Sequence, residues 1–324
     1  MAYKVFVDGQ EGTTGLRIHD FLSQRPELAI IRIDPEKRKD ITERRRLINE
    51  ADLVFFCLPD TAAREAMALV ENPSTRIIDA STAHRTHPDW AYGLPELKPG
   101  QRELIRASGR VAVPGCHATA FILALRPLVA EGVIGPDYPV SCTSVTGYSG
   151  GGKKMIEQYQ TPGPGQVRLQ SPRHYALTLS HKHVPEMRKM TGLTHAPLFT
   201  PIVANFVQGL AVSIPLFARL FGKKADGRNI RDLLAAYYSG ERFVRVMPYE
   251  SSGHLDDGYF DITACNGTNR ADLFVFGRED QILLMARLDN LGKGASGAAI
   301  QNMNIMLGFP ENAGLPDGDA PARG

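Results

Sequence analysis

The chain has 324 residues, enough for two domains at about 150 residues each and for a core that needs no staples. Hydrophobic residues make up 43% and charged residues 22%, which excludes a chain disordered throughout. Lys and Arg number 37 against 35 Asp and Glu, a formal charge of +2, and that near balance argues against a dedicated nucleic-acid binder.

The N-terminus enters a strand pattern at once, with no signal-peptide layout. Residues 4–8 are apolar and β-branched, a strand; a glycine-spaced turn and a helical stretch through Phe21 and Leu22 follow. Residues 28–34 read as a second strand. The continuous apolar run 53–58 fits a parallel strand buried on both faces, and 76–81 and 110–114 repeat that pattern. Strands alternating with helices predict a doubly wound sheet over residues 1–115.

The style changes after Cys116. Residues 118–131 form a helix with Phe121, Leu125 and Leu128 on one face. Strand patterns then dominate, at 140–146, 211–217, 243–248, 260–264, 272–276 and 281–288, predicting a mixed sheet over 116–294. A helix at 295–307 is expected to return to the first domain and complete it through residue 309. The Pro- and Gly-rich tail 310–324 reads as mobile. The most apolar stretch, 203–221, is interrupted by Asn205, Gln208, Gly209, Ser213 and Pro215 and falls short of the ~20 apolar residues of a membrane helix.

The four cysteines, Cys57, Cys116, Cys142 and Cys265, are widely spaced with no Cys-x-x-Cys pair, so they read as reduced thiols of a cytoplasmic protein. Cys116 stands apart. Pro114-Gly115 precede it and a helix follows, so the helix N-terminus favours its thiolate. Cys57, flanked by Phe55, Phe56 and Leu58, reads as inert, as do Cys142 and Cys265 in their strands.

Gly9, Gly12, Thr13, Thr14 and Gly15 lie between the first strand and helix, where backbone N–H groups cradle a pyrophosphate. The spacing G-x-x-G-x-x-G is not the common dinucleotide fingerprint, and a plain glycine turn is the bland alternative. Asp34, ending the second strand, is placed to hold a ribose hydroxyl. Lys37 and Arg38 follow it and suit a 2′-phosphate, so the residues leave NAD and NADP open. His181-Lys182-His183-Val184-Pro185-Glu186 sets two histidines before a helix start. Either is suited to acid–base work or to plain capping, while a metal would need ligands that the spacing does not supply. Ser149-Gly150-Gly151-Gly152-Lys153-Lys154 reads as an anion nest or as a loop connection.

Together these motifs resemble N-acetyl-γ-glutamyl-phosphate reductases. The resemblance rests on Pro114-Gly115-Cys116, Asp79-Ala80-Ser81-Thr82-Ala83-His84-Arg85, Tyr92-Gly93-Leu94-Pro95-Glu96, the His181–Glu186 element, Asp289 to Gly297, and Gln301-Asn302-Met303-Asn304. His117-Ala118 stands where the commoner form has Tyr-Pro, and Thr13-Thr14 replaces its glycine-plus-tyrosine loop; both features are similar to the family's shorter branch.

The resemblance implies a Rossmann domain plus an α+β substrate and dimerisation domain, of the glyceraldehyde-3-phosphate dehydrogenase kind. It implies NADPH as hydride donor, N-acetyl-glutamyl 5-phosphate as substrate and a homo-oligomer, dimer or tetramer, with no nucleic-acid or membrane partner. The implied catalytic group is Cys116 with His181, His183 and Glu186, His181 being preferred for the developing oxyanion. The cofactor set comprises Gly9, Gly12, Thr13, Thr14, Gly15, Asp34, Arg38, Pro59, Ser81, Asn290, Lys293 and Gly294. Arg85, Ser149 and Gly150 are expected on the substrate's anionic groups, and no metal is expected. The competing readings are a reductase of a related acyl phosphate such as carrier-bound aminoadipyl phosphate, a non-catalytic dinucleotide sensor, and a zinc-dependent dehydrogenase.

Overall fold

Short apolar runs separated by helices build the first sheet of this computed structural model, which describes residues 2–9, 12–161, 163 and 166–316. The chain divides into two compact units, Met1–Pro114 with Ala295–Leu315, and Gly115–Gly294. No helix among the described residues is long and apolar enough to cross a membrane.

The first unit runs β1 (Tyr3–Asp8), α1 (Thr13–Leu22), β2 (Leu28–Ile31), α2 (Ile41–Glu50), β3 (Leu53–Phe56), α3 (Asp60–Met67), β4 (Arg76–Asp79), β5 (Ala91–Tyr92), α4 (Gln101–Ala107) and β6 (Arg110–Ala112). All strands are parallel, in the order β2-β1-β3-β4-β6-β5. Every residue of β3 is buried, as a central strand covered on both faces requires. The order reverses between β1 and β3, and a doubly wound sheet binds ligands at the carboxyl ends of the strands beside such a reversal. The C-terminal helix α9 (Gly297–Leu307) packs on α1, α4 and β4 of this unit.

Two expectations for this unit need correcting. The second strand stops at Ile31, and Asp34 instead caps a 3-10 turn, Pro35–Lys37, by accepting the Glu36 N–H at 3.0 Å. The segment from Pro310 is held in place through Leu315. Arg102 pairs with Glu311 at 2.7 Å, Asn304 donates to the carbonyls of Glu311 and Ala313, and Leu315 is buried. Residues 317–324 lie outside the described residues.

The second unit contains α5 (Cys116–Ala130), β7 (Ser141–Gly147), α6 (Gly152–Gln160), β8 (Arg173–His174), α7 (Val184–Thr191), β9 (Leu198–Ala204), β10 (Leu210–Phe217), α8 (Gly227–Tyr237), β11 (Val244–Val246), β12 (Ala271–Arg278) and β13 (Gln281–Leu288). They form a mixed sheet ordered β11-β12-β13-β10-β7-β9-β8. Helices α5 and α8 cover one face. On the other, Thr143, Val145, Ile202, Leu283 and Met285 are half-exposed and in register.

Strand β9 escapes the sequence pattern. Residues 260–264, expected as a strand, form bends instead, because Asp261 Oδ1 accepts from both the N–H and the hydroxyl of Thr263. Such an Asx turn competes with ladder pairing.

One charge cluster holds this end of the sheet. Asp272 on β12 is fully buried and accepts from Arg245, Arg270 and Arg287 at 2.8–3.1 Å. Arg287 also lies over the rings of Phe260 and Phe274. Burial opposes the carboxylate, but the Arg245 hydrogen bond and the three guanidinium charges outweigh burial, so the Asp272 carboxyl sits below its ordinary value. A depressed carboxyl stabilises the fold above its unfolded pKa, and that contribution fades as pH falls through the folded value. Asp272→Asn leaves three guanidinium groups without their counter-charge and is expected to cost about 3–5 kcal/mol. Urea midpoints at pH 7 and pH 3 measure it. The loss should be large at pH 7 and smaller at pH 3; equal midpoints at pH 7 for both proteins would show the cluster to be inert.

Candidate active site

Helix α5 is apolar along nearly its whole length and is buried on nearly every side. Its first residue is Cys116. The preceding Gly115 is the N-cap, extended at φ −78° and ψ 149°, and has no side chain with which to cap the first turn. The thiol therefore sits at the positive end of a 15-residue helix, where a thiolate is favoured. Glu186, buried on α7, accepts the Gly115 N–H at 3.2 Å. Its carboxylate holds the residue immediately before the thiol.

A second contact fixes Cys116 from the other side. A Cβ at residue 294 would stand 2.7 Å from Cys116 Cβ and 3.1 Å from the Asp289 carbonyl oxygen, so only glycine fits. The turn at 289–294 is tied down by Asp289, whose carboxylate accepts from Gln208, Gly267 N–H and Leu291 N–H and whose carbonyl accepts from Gly294 N–H. Burial raises the Asp289 carboxyl above its ordinary value, against those hydrogen bonds. Asn290 is absorbed in the same scaffold, accepting from Gly209 N–H and donating to Ser149 Oγ. Lys293 is fully buried, with Nζ 5.6 Å from the Phe243 ring centroid. Asn290 and Lys293, expected on the cofactor side, make these contacts within the second unit.

Three imidazoles gather near the thiol. Cys116 Sγ, a ring nitrogen of His117 and one of His183 lie within 4.8 Å of one another. The His181 ring packs edge-on against His183 at 4.7 Å and His117 at 5.6 Å, and Phe199 closes the group. Hydrogen bonds assign the protons. Ser144 Oγ donates to the Ala211 carbonyl, so it accepts from His117 Nδ1 at 2.7 Å. His117 Nε2 then carries the lone pair and accepts from the Tyr175 hydroxyl at 2.9 Å. Burial, aided by the charge of His181, pushes the His117 pKa down to about 3, so this ring is neutral near pH 7. Burial and the neighbouring Cys116 keep Tyr175 above the ordinary phenol value, so its hydroxyl keeps the proton that it donates to His117. His181 differs: its Nδ1 accepts the His183 N–H at 3.1 Å, which leaves its own proton on Nε2.

The other thiols are suppressed. Burial and the charges of Asp79 and Asp8 raise Cys57, burial raises Cys142 to about 12, and burial with Asp272 raises Cys265 to about 12.

The first unit carries the other candidate residues. Gly9 has φ +90°, and a Cβ there would stand 2.3 Å from the Cys57 carbonyl oxygen. Gly12 is the N-cap of α1 and offers no side-chain cap, so the backbone N–H groups of Thr13, Thr14 and Gly15 open the helix. This glycine-lined cradle, at the point where the strand order reverses, fits a dinucleotide pyrophosphate. Pro59 is the N-cap of α3 and Arg38 is exposed just after the turn that Asp34 caps. Ser81 donates its hydroxyl to Asp79, which also pairs with His84 Nδ1 at 2.6 Å; His84 stacks on Trp90. Arg85 is buried, with Nη2 on the Ala80 carbonyl.

In the second unit Ser149 is buried in a 3-10 turn, Tyr148–Gly151, its N–H given to the Val207 carbonyl, while Gly150 is exposed. Sequence reading missed Ser144 and Tyr175, and it placed Asp289 in the 289–297 segment without giving it a role. They come from separate elements, and no spacing rule joins them to Cys116.

Two family models cover most of the chain: the semialdehyde dehydrogenase NAD-binding domain over residues 4–105 and the semialdehyde dehydrogenase dimerisation domain over residues 116–290. Among curated proteins, the chain is 48% identical over 318 residues to N-acetyl-gamma-glutamyl-phosphate reductase 2 of Nostoc sp., covering 96% of this chain and 99% of that one. It is 46% identical over 307 residues to the protein of the same name from Pseudomonas putida, covering 94% and 96%. Among solved structures, aspartate semialdehyde dehydrogenase from Francisella tularensis matches with a TM-score of 0.71 at 13% identity, covering 95% of this chain and 100% of that one, a likeness of fold. By its near-full-length identity to these reductases and the matched domain models, the chain belongs to the N-acetyl-gamma-glutamyl-phosphate reductase family.

Proposed function

We propose that this chain reduces N-acetyl-glutamyl 5-phosphate to N-acetylglutamate 5-semialdehyde and phosphate, with NADPH as donor, in arginine biosynthesis in the cytoplasm. The observation that carries the reading is Cys116 at the N-terminus of α5, with a His183 nitrogen within 4.8 Å of its sulfur, in a chain 48% identical to a reductase of that name.

Cys116 thiolate attacks the acyl carbon, and the bond to phosphate breaks with its electron pair leaving on phosphate. The thioester holds the acyl group in place for reduction. The dinucleotide, when bound at Gly9, Gly12 and the first turn of α1, supplies a hydride. His181, with its proton on Nε2, donates to the oxyanion that forms at the acyl oxygen. Collapse breaks the carbon–sulfur bond, returns the pair to Cys116 and frees the aldehyde. His117 takes no part in proton transfer, since its ring is neutral and both nitrogens are engaged. Glu186 acts through Gly115 and is a positioning residue. Ser149 and Gly150 bind the substrate's anionic groups from the second unit.

Phosphate-dependent reduction of NADP with N-acetylglutamate semialdehyde tests the activity, and its absence would refute it. In that assay Cys116→Ser should abolish turnover, because a hydroxyl does not ionise near neutral pH, while leaving dinucleotide binding intact. Gly294→Ala should lower kcat more than ten-fold, by an added methyl against Cys116. Substantial turnover in the Ser variant would end the covalent mechanism.

The preference for NADPH rests on Arg38. Asp34 spends an oxygen on the Glu36 N–H, so it serves the turn that presents Arg38. A bidentate Arg–phosphate pair is stronger than an exposed ion contact. Arg38→Ala should raise KM for NADPH several-fold and leave KM for NADH nearly unchanged; equal effects on both would leave Arg38 a fold residue, and wild-type preference for NADH would refute the choice of cofactor.

The chain acts as a homo-oligomer through the helix-free face of the second sheet. Val145 and Ile202 pair across β7 and β9, and Leu283 and Met285 follow one another on the same face of β13; all four are half-exposed, and exposed apolar groups of this kind mark an interface. Met285→Glu should shift the mass in light-scattering chromatography to that of one chain of 35.5 kDa. An unchanged mass would place the interface elsewhere.

A further inference from the structure

The group around Cys116 has the residue types and spacing of metal ligands. A thiol and two imidazoles suit a borderline-soft divalent cation, and three protein ligands with one open position are the pattern of zinc sites that exchange their fourth ligand. The second shell is already in place. A zinc-bound imidazole normally donates its other N–H to an oxygen, which fixes the tautomer and strengthens the ligand. His117 Nδ1 does so to Ser144 Oγ at 2.7 Å, and Ser144 in turn donates to the Ala211 carbonyl. The Nε2 lone pair is thereby presented, and the Tyr175 hydroxyl at 2.9 Å caps it. His117 and His183 are buried and Cys116 is partly exposed, so the sulfur side is the open one.

We propose that Cys116 Sγ, His117 Nε2 and a ring nitrogen of His183 form a site for Zn2+ or a similarly thiophilic divalent cation, with the Tyr175 hydroxyl as its competitor. Binding forms one metal–sulfur bond to the Cys116 thiolate and two metal–nitrogen bonds to neutral imidazoles, and displaces water from the hydrated cation; any thiol fraction gives its proton to solvent. No electron is transferred. Ligand atoms of tetrahedral zinc lie about 3.5 Å apart. The 4.8 Å envelope must therefore close by about an ångström as Tyr175 Oη gives up its place on His117 Nε2. The bound cation removes the nucleophilic sulfur from use, so it is an inhibitor of the reaction and not a resident cofactor.

The test needs no turnover, so its outcome is separable from the reductase reading. The full chain is titrated with zinc chloride by calorimetry, and with cobalt chloride while following thiolate-to-cobalt charge transfer in the near ultraviolet. The expected result is one equivalent per chain and a thiolate–cobalt band, both lost in Cys116→Ser. Ser144→Ala should weaken zinc binding about ten-fold through the second shell, and His117→Ala should weaken it further. Tyr175→Phe removes the competing hydroxyl and should tighten binding, a gain that a misfolded variant would not give. Circular dichroism verifies the fold of each. Absence of binding up to about 0.1 mM zinc, a free energy of only some −5.5 kcal/mol, would overturn the proposal. So would a cobalt spectrum without a thiolate band, or zinc affinities of His117→Ala and Tyr175→Phe equal to wild type.

Discussion

The thiol end of this protein depends on one steric constraint: the backbone of residue 294 passes so close to Cys116 that no Cβ fits between them. The turn that makes this approach is held by the Asp289 carboxylate, which collects donors from Gln208, Gly267 and Leu291. Glu186 then holds Gly115 from α7. The Cys116 thiol is thus placed by backbone and buried carboxylates. Sites built on rigid elements hold such positions better than sites built on loops.

Electrostatics around the sulfur are divided. The end of α5 favours negative charge, while two buried carboxylates, Glu186 and Asp289, stand on the scaffold side. Each of those carboxylates accepts backbone N–H groups, so its charge is spent locally on structure. Among the rings, His117 is kept neutral by burial and by its two hydrogen bonds, whereas His181 keeps a proton on the nitrogen remote from its backbone contact. One fold therefore gives the neighbouring imidazoles of His117 and His181 different tautomers. The same tautomer that silences His117 as an acid makes it a ready ligand.

The sequence was read well where chemistry follows from local order. A strand, a glycine turn and a helix in succession mark Gly9 to Gly15, and Pro114-Gly115 before a helix marks Cys116. Continuous apolar runs place the buried strands of the first sheet, since a central parallel strand must be apolar on both faces. Reading failed where a side chain overrides a pattern. Asp34 is drawn off into a turn cap, and Asp261 folds residues 260–264 into an Asx turn. The tail to Leu315 is pinned by Arg102 and Asn304, which composition does not report.

By itself, then, the sequence determined the alternation of strands and helices in the first unit, the cysteine at a helix start and the glycine turn after the first strand, because each follows from residues adjacent along the chain. Only the tertiary structure decided which atoms of the imidazoles carry protons, that Lys293 and Asn290 make their contacts within the second unit, and that Ser144 and Tyr175 flank His117. Those facts depend on partners contributed by α5, β7, α7, β10 and the segments between them. Hydrogen-bond partners so far apart in sequence leave no periodicity behind, and the protonation state of a buried ring is set by its partners and its burial, not by its neighbours in the chain.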